Sequence, residues 1–232
     1  MQDTTDPGVS RRKFLVKSGL LIAAGSLFGA ACAGKPEAAA IPPTEDLMRE
    51  HGILRRIMLI YDETGRRLQQ GEEFPAPVLA EANRIIRRFM QDYHELNEQF
   101  HLFNRLANAG KLVELVAILY QQHLAGRKLI DQVNTLSAGD NLSNPANRQK
   151  VAALLNTFNQ VYRRHAAWED TVVFPAFRSI TSAKDFAALG ETFDREEKKQ
   201  FGPDGFEKLL AQVADLEKKL GIHDIQQFTP KL

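Results

Sequence analysis

His94-Glu95-Leu96-Asn97-Glu98-Gln99-Phe100-His101-Leu102-Phe103 and His165-Ala166-Ala167-Trp168-Glu169-Asp170-Thr171-Val172-Val173-Phe174-Pro175 are the two stretches that decide the fold. In each a glutamate follows a histidine by four residues, a spacing that puts both side chains on one face of a helix. That face is otherwise apolar. The first pair continues a stripe through Ile86 and Met90, and the second one through Val151, Leu155, Phe158, Tyr162 and Val172. Working outward, Leu112, Val116, Leu119, His123 and Ile130 repeat the pattern between them, and Leu47, His51, Leu54, Met58 and Tyr61 repeat it upstream. No stretch alternates polar and apolar residues as a strand would, so the chain reads as all-α.

Turn signals separate the helices. Thr44 precedes Glu45 and Asp46 as an N-cap, and Gly65 and then Gly71 to Pro77 mark the end of the first helix. The second is expected from about Val78 to Ala107, closing at Asn108-Ala109-Gly110; the third from about Lys111 to Leu136, closing at Ser137-Ala138-Gly139-Asp140; the fourth from Pro145 to Ile180. Short connections make an up-down-up-down four-helix bundle over residues 44–181. Beyond it, residues 182–232 form a C-terminal helical extension, about Ala183 to Gln200 and Pro203 to Leu220, read as an amphipathic pair packing on the bundle or on a partner chain.

The bundle geometry can be tested on its polar residues. His51 lies roughly 18 residues before the first turn and His94 roughly 17 after it, so at about 1.5 Å per residue the two are nearly level. Similar counts bring His123 level with the first pair and, more loosely, His165 and Glu169 with His123. One core histidine is ordinarily a hydrogen-bonded interior residue. Four on inward stripes of four helices, two with a glutamate one turn on, would leave buried carboxylates unpaired at a cost of several kcal/mol each without a cation. Imidazole and carboxylate donors without thiolate suit iron, manganese or zinc, and bridging glutamates suit two ions.

The composition agrees. The chain has 232 residues, 25% charged and 44% hydrophobic, with a formal net charge of +1, which suits one globular domain with an added segment and excludes the electrostatic footprint of a nucleic-acid binder. The single cysteine, Cys32, excludes an internal disulfide and any cysteine-rich metal site.

The first 33 residues read as an address. Ser10-Arg11-Arg12-Lys13-Phe14-Leu15 precedes a small, apolar run from Gly19 to Ala33, the order of a secretory signal and too short to span a bilayer comfortably. The paired arginines resemble the twin-arginine (Tat) export motif, which implies export of a folded protein to a periplasmic or envelope-attached location. Two readings of Cys32 stand side by side: a small residue in a discarded signal, or a lipid anchor in the box Gly29-Ala30-Ala31-Cys32. Cleavage after Ala33 removes four basic and two acidic residues and takes the net charge from +1 to −1. Residues 34–43 are a Pro- and Ala-rich linker.

The His94 and His165 stretches, with Arg49-Glu50-His51 and His123-Leu124-Ala125-Gly126-Arg127-Lys128-Leu129, resemble the bacterial hemerythrin-like family, or HHE cation-binding domain. The resemblance covers about Thr44 to Ile180. It implies a non-haem di-iron centre of two iron ions, or other divalent metals, held by His51, His94, Glu98, His123, His165 and Glu169, with Glu98 and Glu169 as bridges. Oxygen-carrying members have a second histidine on the third helix where this chain has Arg127. Some hemerythrin-like domains use a glutamate beside the second-helix histidine instead, which makes Glu95 a further candidate ligand or else an exposed helix residue. Arg127 then pairs with a carboxylate or snorkels at the surface. His101 lies about 10 Å along the axis from His94 and reads as core or support. His223 reads as solvated, and Tyr93, Tyr120, Tyr162 and Trp168 as packing.

Functionally, the resemblance implies binding or sensing of O2, NO or iron in the cell envelope. The alternative is a di-iron enzyme with peroxidase or ferroxidase activity, using peroxide or ferrous iron. A bundle with a degenerate centre, serving as an interaction domain, is the third reading.

Overall fold

The computed structural model describes residues 41–231. The stretch read as an export signal, Cys32 and the expected linker up to residue 40 lie outside the described residues. Six helices follow: α1 (Pro43–Gln70), α2 (76–108), α3 (Val113–Ser137), α4 (145–180), α5 (Ala183–Phe201) and α6 (Gly205–Leu220). There is no strand among the described residues. The first four pack in a ring, α1 on α2 and α4, and α3 on α2 and α4, the all-α bundle expected.

Helix α1 starts two residues earlier than the Thr44 cap predicts. Pro43 occupies its first turn, where a missing N–H costs nothing, and Pro42 precedes it without a side-chain cap. Gly65 does not end α1. It is buried mid-helix, because burial of Thr64 and Leu68 on the same side outweighs the roughly 1 kcal/mol that glycine costs in a helix. The helix closes at Gly71, whose φ of 71° is the left-handed cap that glycine adopts without penalty. The start of α4 is as read: Asn144 caps it by accepting from Ala146 N–H at 2.9 Å, ahead of Pro145.

A feature that the periodicity did not foretell is the widening of α2 and α4. Backbone N–H groups of Glu95, Asn104 and Phe174 reach the carbonyls of Met90, Gln99 and Glu169, five residues back rather than four. These π-helical turns span Ile86–His94, Glu98–Phe103 and Glu169–Val173. Two of them begin at the glutamate of a His-x-x-x-Glu pair. Such turns are uncommon and concentrate at functional sites.

The C-terminal pair is part of the core, which settles the choice left open between bundle and partner chain. Phe206, Val213, Leu216 and Leu220 of α6 join Ile57, Met58, Phe89 and Tyr93 in one buried cluster. Leu189 and Phe193 of α5 join Leu47, Leu102 and Phe174 in a second. Tyr93 is indeed packing, with its hydroxyl donating to Phe193 O at 3.3 Å. Tyr120 and Trp168 are not, being 42% and 53% exposed.

Glu217 on α6 ties this helix to α1. It accepts from Arg56 Nε at 2.8 Å and Nη2 at 2.6 Å, and His223 Nδ1 lies 3.0 Å away, so His223 is paired rather than freely solvated. Burial opposes the charge of Glu217, but Arg56 and His223 outweigh it and hold the carboxyl below its ordinary pKa. Replacing Glu217 with Gln should therefore cost about 1–2 kcal/mol at neutral pH. A lowered folded-state pKa gives stability that is present above the unfolded value and lost as pH falls through the folded one. Urea unfolding at pH 7 and at progressively acidic pH should show the wild-type advantage shrinking below the ordinary glutamate range.

Candidate metal centre

Four histidines and two glutamates from four helices meet inside the bundle. His51 (α1), His94 and Glu98 (α2), His123 (α3), and His165 and Glu169 (α4) are all at most 2% exposed. The rings form two pairs. His51 Nε2 and His94 Nε2 are 3.2 Å apart, and His123 Nε2 and His165 Nε2 are 2.9 Å apart.

The two carboxylates run between the pairs. Glu98 Oε1 lies 3.3 Å from His94 Nε2 and 4.0 Å from His51 Nε2, whereas its Oε2 lies 3.5 Å from His123 Nε2. Glu169 mirrors this, with Oε2 at 3.4 Å from His51 Nε2 and Oε1 at 3.0 Å from His165 Nε2. Ligand atoms of Glu98, His123, His165 and Glu169 lie within 4.8 Å of one another, as do those of His51, His94 and Glu98.

Every ring is oriented from behind. His51 Nδ1–H donates to Asp170 Oδ1 at 2.7 Å, His94 Nδ1–H to Glu50 Oε2 at 2.7 Å, and His165 Nδ1–H to Gln122 Oε1 at 2.9 Å; the Gln99 amide lies 2.8 Å from His123 Nδ1. Asp170 is itself held by Arg55. In His51, His94 and His165, whose Nδ1–H is donated outward, a neutral ring presents its Nε2 lone pair to the centre, whereas Gln99 donates to His123 Nδ1 and leaves the neutral His123 ring its proton on Nε2.

This arrangement is the test of whether a metal fits. All four oxygens of Glu98 and Glu169 are buried and without a hydrogen-bond partner. They face four Nε2 atoms, most of them lone pairs on neutral rings, so acceptors outnumber donors, an imbalance that a cation relieves. Without a cation, relief can come only from protons, unevenly shared. Burial alone would push His94 down, but Glu98 and Glu50 raise it well above its ordinary value; burial and His165 push His123 well below. Burial and Glu169 raise Glu98, while His165 and His51 overcome burial and hold Glu169 well below.

Glu95 is buried, not an exposed helix residue, yet it belongs to neither converging group. Tyr162 O–H donates to its Oε1 at 2.8 Å, and Arg127 Nη2 lies 3.2 Å from its Oε2. Burial pushes the Glu95 carboxyl up to about 8. Arg127 thus takes the carboxylate-pairing role, to Glu95 and also to Asp92 at 2.9 Å. His101 stands apart from the centre, edge-on to Phe193 at 5.6 Å. Sequence reasoning missed Glu50, Asp170, Gln99 and Gln122 as ring supports. Asp170 follows Glu169 directly, and Gln99 follows Glu98, which was the available signal.

Tyr162 reaches Glu95 because position 126 is glycine. A Cβ there would sit 2.0 Å from the Tyr162 hydroxyl, and the ring is already stacked on Phe158 at 4.2 Å. Gly126→Ala should destabilise the protein by about 1–3 kcal/mol in denaturant unfolding. An unchanged midpoint would show that Tyr162 can turn aside freely.

The comparisons with known proteins bear on this centre directly. The profile described as "Hemerythrin HHE cation binding domain" matches residues 43–177, and matches again over 114–229. The chain belongs to the hemerythrin HHE cation-binding domain family. Buried His/Glu clusters of the kind found here fit the metal site that this family's description implies. Relatives described as uncharacterized proteins occur in Mycobacterium tuberculosis (strain ATCC 25618 / H37Rv) and Mycobacterium bovis (strain ATCC BAA-935 / AF2122/97). Each is 41% identical over 243 residues, covering 99% of this chain and 94% of the relative. No solved structure matches the chain. The second family match takes in α5 and α6, in line with their place in the core.

Proposed function

We propose that the protein is a non-haem di-iron protein that binds or senses a small ligand, O2 or NO, in the cell envelope. The observation that carries this reading is the convergence of four unpartnered glutamate oxygens on four imidazole Nε2 atoms. His51 and His94 would hold one ion and His123 and His165 the other, with Glu98 and Glu169 reaching both. Bound iron supplies a Lewis-acidic, redox-active position at which a small ligand can be held.

The chain's own residues do the rest. Glu50, Asp170 and Gln122 fix ring tautomers, and Gln99 braces His123 from behind; burial by Phe174 and Phe103, stacked on His51 and His123 at 5.7 Å each, excludes water. Glu95, held by Tyr162 and Arg127, is a buried carboxyl one residue along from His94. Export through the Tat pathway, with removal of the first 33 residues or lipidation at Cys32, is supported by the Arg11-Arg12 motif.

Purified from iron-supplied cells, the protein should carry about two irons per chain and show oxo-bridged charge-transfer absorption in air. A preparation that takes up no metal would sink the reading. The ferroxidase alternative has one observation on its side: Asp46, Glu50 and Glu197 gather carboxylate oxygens within 4.8 Å behind His94, with Arg49 as their counter-charge. Steady-state turnover with ferrous iron or peroxide would favour it over stoichiometric binding.

A further inference from the structure

The centre is sealed, so any small ligand needs a way in, and the surface beside His123 offers one of a particular character. Phe100, Phe103 and Ala107 of α2 and Val113, Ala117 and Tyr120 of α3 line an open groove of about 530 Å³. Its only other polar linings are two amides, Gln99 and Asn104, and no charged side chain lines it. Large apolar side chains stand uncovered around it, with Phe100 66% exposed and Val113 48% exposed.

The inner wall of this groove is also the outer wall of the centre. Phe103 stacks on the His123 ring at 5.7 Å and 11°, and Gln99 touches His123 Nδ1 at 2.8 Å. The π-helical turn Glu98–Phe103 explains this. A five-residue repeat puts Glu98 and Phe103 on the same side of α2, so the bridging carboxylate and the groove wall share one turn. The cavity that Asp46 lines is charged by contrast, with Arg49, Asp194, Glu197, Lys198 and Glu207 around it.

From this contrast we infer that the α2/α3 groove is the access route to the centre for a neutral, apolar small ligand, a diatomic gas, with Phe103 and Gln99 at its inner end. The inference rests on the di-metal reading and adds to it the path by which its ligand arrives. A charged or strongly hydrated ligand would lose its hydration against Phe100, Phe103 and Val116 with no charge to replace it. A gas loses almost nothing there, and apolar cavities of proteins take up xenon for the same reason.

The test uses the full chain and two probes. Xenon-pressurised crystals should show xenon between Phe100, Phe103 and Ala117. Ala117→Trp, or Ala107→Trp from the opposite wall, fills the groove from an exposed helix position and should displace it. In the reduced, iron-loaded protein both variants should slow nitric oxide association by about tenfold or more, with iron content and equilibrium affinity unchanged. Xenon absent from the groove, or association rates equal to wild type in both variants, overturns the inference. A wild-type protein without iron overturns the di-metal reading instead, while the xenon experiment still decides whether the groove takes an apolar gas.

Discussion

Chelating the metal from the wild-type protein should lower its thermal midpoint by about 10 °C or more, and replacing Glu98 and Glu169 together with Gln should raise the midpoint of the metal-free protein. The two effects have one cause. In the metal-free centre, four carboxylate oxygens face four ring nitrogens with too few donors to satisfy them. Each buried carboxylate left unpaired costs several kcal/mol. In a chain of this size 1 kcal/mol is worth roughly 2–4 °C, so two such groups account for the shift. Glutamine side chains supply N–H donors to the same ring nitrogens and remove both charges, so the variant should melt above chelated wild type and be indifferent to added iron. Calorimetry of both proteins, with and without chelator, gives four midpoints. Equal midpoints for loaded and chelated wild type would mean that the carboxylates are satisfied without metal, and the centre would have to be read as structural.

The same centre shows what the sequence could and could not reveal. Its six converging residues were legible because each is a polar interruption of an apolar stripe, and because the level of a residue in a bundle follows from counting to the turn. His165 and Glu169 fitted that count loosely. Counting assumes a uniform rise, which α2 breaks with two wide turns, whereas α4 is regular from Pro145 to Trp168 and its wide turn begins only at Glu169, so its looser count is not due to that turn. No composition or periodicity announces a π-helical turn, since one extra residue shifts the stripe by less than the breadth of the buried face. The supports behind the rings were hidden for another reason. Asp170 and Gln99 look like surface polar residues next to a glutamate, and only the wide turns bring them round to a histidine on another helix. Glu95 was left between ligand and exposed residue; it is buried, with Tyr162 and Arg127 as partners. The C-terminal pair was readable as amphipathic, but not its target, because helix faces carry no label for the surface that will cover them.

That target makes the second large effect calculable. Removing residues 182–232 should leave a chain that does not fold, and Phe206→Ala alone should cost about 3–5 kcal/mol. Phe206 is 4% exposed, lies 6.3 Å from the Phe89 ring, and carries the Arg49 guanidinium over its face at 3.9 Å. Truncation to alanine therefore opens a cavity and releases the cation–π contact, worth about 0.5–1 kcal/mol or more. Deleting the whole extension would uncover Phe89, Tyr93, Met58 and Leu47 at once and strip Arg49 of Glu197. Arg49 sits one residue before Glu50, the partner of His94, so loss of α5 and α6 reaches the centre through α1. Phe206→Ala should accordingly lower the urea midpoint and also speed the loss of iron to a chelator, whereas Lys208→Ala, at an exposed position of the same helix, should do neither. If Phe206→Ala destabilised the fold but left iron release untouched, the bundle and its extension would be energetically separate, and the coupling through Arg49 and Glu50 would be wrong.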